Sequence, residues 1–298
     1  MNMTDIKEKL NEYIRFTEDN LKKYNLHSEA MAAQKNLIDA MNYSLEAGGK
    51  RIRPVLVYAF CNALGGDHRN ACAPAAAIEM IHTFSLIHDD LPAMDDDDYR
   101  RGKPSCHKAF GEAMAILAGD ALSVQPFEII ADDDHLSSEQ KVKIISCLAK
   151  AVGRAGMIGG QVIDMENEER TDVNEADLRN MYRHKTGQLI AVSCMMGCIC
   201  AGADDDTISA AADYGFKLGL AFQIVDDILD VTSTTEVLGK PVGSDEEENK
   251  TTFVTLYGVE KAQEIANAVT DEALGCLEKF GNDAFLTALT EMLLRRKN

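Results

Sequence analysis

Residues 221–230 read AFQIVDDILD, three carboxylates set inside an otherwise apolar run. On a helix Asp226 and Asp230 fall at i and i+4 and share one face, with Asp227 beside them. Like charges at that spacing disfavour an isolated helix by roughly a few tenths of a kcal/mol. Burying them against Ile224, Val225, Ile228 and Leu229 is far more unfavourable unless cations meet them. The chain is therefore constrained to fold so that this helix borders a cleft that holds positive charge. A solvated acidic face does not account for it.

A second acidic run has the same logic. In SLIHDDLPAMDDDDYRRGKP (85–104) an apolar helix ends in Asp89-Asp90, is broken by Leu91-Pro92, and continues into Asp95 and Asp96. Asp89 and Asp95, six residues apart, can face one cleft. One acidic cluster is ordinarily a solvated face; two, each ending or interrupting an apolar helix, make an all-oxygen site suited to Mg²⁺, which keeps waters and bridges to phosphate. The formal charge of −19 excludes a nucleic-acid binder and requires local cations for any anionic substrate. Such cations cluster beside glycine and proline turns: Lys50, Arg51 and Arg53 in GGKRIRP, Arg100, Arg101 and Lys103 in YRRGKP, Lys185 with Thr186 in HKTG, and Lys240 in LGKP. Two polyphosphate anions follow, one bridged by metals between the aspartate clusters and one held by cations alone.

The rest of the chain reads as helix after helix. A first helix is expected over about 3–24, and a second over SEAMAAQKNLIDAMNYSLEA, ended by Gly48-Gly49. Pro54 and Pro74 each open another, since a first-turn proline lacks only an N–H that is unpaired anyway. Ser137 with Gln140 has capping-box spacing. Asn174 precedes a run to about Ala201, Asp206 is expected to cap one continuing to about Val231, and two helices divided by FGND fill 258–296. Strand signals are nearly absent, so the expectation is one all-α domain spanning residues 1–298, of about ten or more helices. Eight scattered cysteines without a C-x-x-C pair, and no secretory signal, point to a reducing, cytoplasmic setting. The longest weakly polar run, Leu189 to Ala203, is too short to span a bilayer and reads as buried core, Cys194, Cys198 and Cys200 included. His27, His68, His107 and His135 are expected at the surface.

In order and spacing, GGKRIRP, DDLPAMDDDDYRRGKP, GGQVID (159–164), HKTG, FQIVDDILD and LGKPVGSD resemble the trans-isoprenyl diphosphate synthases, over roughly residues 40–255. The resemblance implies the all-α isoprenoid synthase fold, usually a homodimer, with a deep central cavity. It also implies head-to-tail condensation of isopentenyl diphosphate with dimethylallyl or geranyl diphosphate. Carried over to these positions, Asp89, Asp95, Asp226, Asp227 and Asp230 would hold Mg²⁺, three ions per site, with Asp90 and Asp96 assisting. Arg100, Lys185 and Lys240 would contact the allylic diphosphate, and Lys50, Arg53, His82 and Arg101 isopentenyl diphosphate. Thr186 and Gln223 would turn their dipoles to the allylic cation, and the departing diphosphate would take the final proton. Phe84 and Ser85 lie one turn before Asp89 and would floor the cavity. An aromatic there resembles the farnesyl-forming members, so farnesyl diphosphate is the expected product.

The alternatives are a geranylgeranyl diphosphate synthase and, from a different class, a His-Asp metal phosphohydrolase built on His88-Asp89 with His82 and Asp120. The hydrolase needs several histidine ligands and leaves the second aspartate cluster without a role. A terpene cyclase would carry Asn, Ser and Glu in that second cluster. An acidic calcium-binding scaffold would place its aspartates in exposed loops.

Overall fold

The computed structural model describes residues 3–24, 32–232 and 250–295. Helices dominate, and the site depends on a few of them. Helix α1 covers Met3–Tyr24, α2 Lys35–Leu45 after a 3₁₀ turn, α3 Ile52–Ala63 and α4 Cys72–Asp89. A short α5 (Cys106–Phe110) leads into α6 (Glu112–Ala131), and α7 (Ser138–Val152) and α8 (Met157–Glu168) follow. The second half holds α9 (Glu175–Tyr182), α10 (Gln188–Cys200), α11 (Asp205–Thr232), α12 (Phe253–Tyr257), α13 (Val259–Cys276) and α14 (Ala284–Leu294). Helix α4 packs along α6, α10 lies against both α3 and α11, and α11 packs on α13.

Local signals account for many boundaries. Ser137 and Gln140 form the expected reciprocal capping box, and Asn174 forms another with Asp177. Pro54 and Pro74 sit in the first turns of α3 and α4. The core is helical and largely apolar: Cys194, Met196 and Cys198 on α10 are fully buried.

Several expectations need correction. Helix α2 stops at Leu45, short of Gly48-Gly49, whose positive φ angles of 82° and 126° instead shape the turn into α3. The cap of α11 is Asp204, whose carboxylate accepts from the Thr207 N–H at 2.8 Å; Asp206 lies inside the first turn. The run after Asn174 is broken by a π-helical turn, Arg183–Gly187. A two-residue hairpin forms where no strand is expected, Tyr99–Arg100 (β1) pairing antiparallel with Lys103–Pro104 (β2). Arg101 and Gly102 both have positive φ, as a tight two-residue hairpin turn requires. His107 is buried, so it is not a surface residue, while His68 is partly exposed with its ring packed among Tyr13, Phe16 and Tyr58. The described helix long and apolar enough to cross a membrane is α6, with a mean hydropathy of 1.3 over 18 residues, and it packs lengthwise on α4.

Candidate active site

The first acidic cluster is assembled by the way α4 ends. With Pro92 unable to continue the helix, the chain turns back, and the Asp95 N–H donates to the Asp89 carbonyl at 2.9 Å. That bond satisfies a helix-end carbonyl and sets the two residues side by side. Burial pushes the Asp89 carboxyl up to about 6, with Lys185 opposing and Asp95 reinforcing the shift. Asp95 is also raised by burial, against the pull of Lys185 and Lys250. Asp90 is 2% exposed and accepts from Arg100, through Nε at 2.8 Å and through Nη2; Arg100 also reaches Asp97 at 3.1 Å. Arg100 is thereby tethered beside Asp89.

Two cavities adjoin at Lys185, the larger of them reaching this cluster at Asp89. The larger, about 410 Å³, is bounded by Asp89, Arg53, His82, Phe84, Ser85, Lys185 and Thr186, with apolar walls from Met157, Ile158 and Leu189. The smaller, about 200 Å³, is bounded by Asp227, Gln223, Asp164, Tyr182 and Lys250, and shares Lys185. The fold thus brings together residues drawn from six separated sequence segments. Phe84 is 5% exposed and stands edge-on to His88 at 5.8 Å; the Ser85 hydroxyl donates to the His82 carbonyl at 2.9 Å.

Lys185 is shared because the π turn widens the backbone there. Such turns insert one extra residue and are frequent at functional sites. Glycines make the space. A Cβ on Gly160 of α8 would come 2.6 Å from the His184 carbonyl carbon and 2.7 Å from Lys185 Cα. A Cβ on Gly219 of α11 would come 2.8 Å from Gly187 Cα. This approach lets Lys185 pair with Asp164 on α8, and lets Thr186 donate to Gln223 Oε1 at 3.1 Å.

On α11 the three aspartates differ. Asp226 keeps a partly exposed surface. Asp227, 4% exposed, accepts from the Tyr182 hydroxyl at 2.8 Å and the Phe253 N–H at 3.3 Å. Asp230 is 1% exposed.

The basic motif also divides. Lys50 is exposed. Arg51, in a left-handed conformation (φ 48°), points inward and donates to Glu79 Oε1 at 2.7 Å and the Leu45 carbonyl at 2.6 Å. Arg53 lines the larger cavity; burial draws it down to about 10, and its Nε has no hydrogen-bond partner. His82 is held well below its ordinary value, first by burial and then by Arg53 and Arg101, so its ring is neutral. Arg101 turns its guanidinium onto the Gly48 carbonyl, and a Cβ on Gly49 would meet it at 2.7 Å. Lys240 lies outside the described residues.

Sequence reasoning overlooked Asp164, Gln161, Tyr182, Glu79 and Lys250. Asp164 and Gln161 carried a signal, standing in GGQVID four and one residues after Gly160. The hydrolase constellation does not assemble: His88 Nε2 meets the Ile116 carbonyl at 3.1 Å, its ring fills the space beside Gly119, and Asp120 is 4.0 Å away.

Comparisons with known proteins agree with this geometry. A family model described as polyprenyl synthetase matches residues 34–292. A farnesyl diphosphate synthase of Geobacillus stearothermophilus is 47% identical over 266 residues, 89% of this chain and 88% of that one. A geranylgeranyl diphosphate synthase of Cyanophora paradoxa is 44% identical over 264 residues, 88% of each. Geranylgeranyl pyrophosphate synthetase from Pyrococcus horikoshii shares the all-α fold with a TM-score of 0.87 at 31% identity, covering 99% of both chains. Geranyltransferase from Helicobacter pylori, solved with magnesium and isoprenyl diphosphate, gives 0.84 at 35% identity, covering 98% of this chain and 99% of that one.

Proposed function

The chain belongs to the polyprenyl synthetase family, and from that premise we propose that it condenses isopentenyl diphosphate with dimethylallyl and then geranyl diphosphate to give farnesyl diphosphate. The observation that carries this reading is the shared position of Lys185, an ammonium between the two aspartate clusters at the mouth of an apolar cavity.

The donor set fits magnesium. Asp89 is half-buried and Asp95 exposed, both are raised by desolvation, and each adds a carboxylate oxygen that reinforces or neighbours the other. With Asp226, the partly exposed member of α11, they would hold the ions; Asp90, Asp227 and Asp230 would support them from behind. When bound, the metal supplies Lewis-acid neutralisation of the charge building on the leaving diphosphate. The protein's own groups do the rest. Lys185 and Arg100 add preorganised positive charge to that leaving group, and Lys240 is assigned the same role by resemblance. Arg53, His82, Arg101 and Lys50 seat isopentenyl diphosphate. The neutral His82 ring can donate to an anion without a further buried charge. Thr186 and Gln223 direct oxygen dipoles at the allylic cation, while Met157, Ile158 and Leu189 keep water from quenching it. The departing diphosphate accepts the proton lost from the extended chain.

Phe84, buried one turn below Asp89, sets product length as the floor. The test is product analysis. The protein is incubated with Mg²⁺, isopentenyl diphosphate and dimethylallyl diphosphate, the product is dephosphorylated, and its carbon count is read. Farnesol from the wild type and longer alcohols from Phe84→Ala are expected. Geranylgeraniol from the wild type would refute the floor and favour the geranylgeranyl reading, to which the Cyanophora paradoxa relative lends support. We also place the enzyme in the cytoplasm as a single-domain subunit of a homodimer. A stripe on α6 supports that assembly: Ile116, Leu117 and Val124 are 45%, 52% and 66% exposed, and a second copy would cover them.

A further inference from the structure

The outer half of the acidic loop forms a second constellation; Asp96, which the resemblance had assisting Mg²⁺, is grouped here with Asp98 and His107 instead. Asp96 and Asp98 flank Asp97, and His107 faces them from α5. One ligand atom from each of Asp96, Asp98 and His107 lies within 4.8 Å of the others. The carboxylates are exposed and the imidazole is buried, its side chain 3% exposed. His107 Nδ1 lies 3.1 Å from the Ser105 hydroxyl, while Nε2 has no hydrogen-bond partner and points toward Asp96 Oδ1 at 4.0 Å. A buried ring nitrogen without a partner is uncommon, and 4.0 Å is too long for a hydrogen bond. It suits an ion lying between the two. Bonds of about 2.1 Å set tetrahedral ligand atoms about 3.4 Å apart, so the exposed Asp96 carboxylate would close by roughly half an ångström and the exposed Asp98 carboxylate by up to about 1.4 Å.

We propose that Asp96, Asp98 and His107 form a transition-metal site, for a zinc-class ion, separate from the magnesium carboxylates. The donor chemistry selects the ion. Magnesium prefers oxygen alone, whereas one imidazole with two carboxylates suits zinc and its first-row neighbours, with a water completing a tetrahedral shell. The surroundings are built for it. Ser105 leaves α5 uncapped by its side chain and instead fixes the His107 ring from behind, as partners of metal-bound histidines do. The Ser105 N–H donates to the Asp98 carbonyl at 2.9 Å, so the β1–β2 hairpin clamps Asp98 at a set distance from α5. Lys108 Nζ now rests 2.6 Å from Asp98 Oδ1; it is exposed and swings to solvent when the ion arrives. Occupancy would brace Asp97, and through it Arg100 beside Asp90, linking zinc availability to the diphosphate site.

The full-length protein is crystallised with excess Mg²⁺, soaked in zinc chloride, and its anomalous difference map is recorded at the zinc edge. Zinc affinity is measured in parallel, by equilibrium dialysis against excess Mg²⁺. The expected result is a peak bonded to His107 Nε2 at about 2.0–2.1 Å, with affinity at least ~10-fold weaker in Asp98→Asn and in His107→Gln. Asp98 is exposed, so its amide variant keeps the fold even if the buried His107→Gln does not. A peak only among Asp89, Asp95 and Asp226 overturns the proposal, as does no peak at all. So does zinc on His107 whose affinity Asp98→Asn leaves unchanged, which would mean that the three residues do not act as one site.

Discussion

Replacing Asp89 by Asn should stabilise the metal-free protein while disabling it. The Asp89 carboxyl is held at about 6 against an ordinary 3.8, chiefly by burial. That difference of about two units corresponds to about 3 kcal/mol at ~1.4 kcal/mol per unit. The residue keeps some surface at the cavity mouth, where water screens it, so ~1–2 kcal/mol is the expected gain. A carboxyl whose folded pKa is raised binds its proton more tightly in the folded state. It therefore destabilises the fold fully above about pH 6, and the penalty fades as pH falls toward 3.8. In EDTA at pH 7.5, Asp89→Asn should melt about 2–5 °C above wild type, and the gap should shrink to about half at pH 5. With Mg²⁺ and both substrates, turnover should fall at least ~10²-fold. A variant that melts at or below wild type at pH 7.5, or whose gain is the same at pH 5, would show that Asp89 is not an uncompensated buried charge.

Three further outcomes follow from the packing. Gly160→Ala sets a methyl against the backbone of His184 and Lys185, and should lose ~1–3 kcal/mol in denaturant unfolding with a larger relative fall in kcat than in stability, because Lys185 moves. Tyr182→Phe removes the hydroxyl that donates to Asp227; the urea midpoint should drop by the equivalent of ~1.5–3 kcal/mol, with the far-UV circular dichroism unchanged. Thr186→Val breaks the bond to Gln223, so stability should change by only ~1 kcal/mol while single-turnover ionisation slows by about tenfold or more.

Much of this architecture could be read before any coordinates, because its signals are local. The capping box at Ser137, the cap at Asn174 and the first-turn prolines need only neighbours three or four residues away. The aspartate motifs were legible because carboxylates in apolar helices demand an explanation. What escaped was tertiary. The π turn depends on Gly160, Gly187 and Gly219 allowing three segments to touch, and no periodicity within 174–201 announces it. Arg51 and Arg53 look equivalent in GGKRIRP, yet the left-handed backbone at Arg51 sends one inward to Glu79 and leaves the other on the cavity. His107 sits in a charged, turn-rich stretch that reads as solvated, yet its side chain is 3% exposed.

Helix α6 has two jobs on opposite sides. Its inner side, at Gly119, accepts the His88 ring that stands against Phe84, while Leu117 and Val124, roughly 140–160° round the helix, stand 52% and 66% exposed on its outer side. The proposed cavity floor and the proposed assembly face are therefore separated by the thickness of one helix. On those two proposals, a substitution that alters assembly would push on the floor, and one that alters the product would be felt at the outer face. Changes of assembly and changes of product should then arrive together.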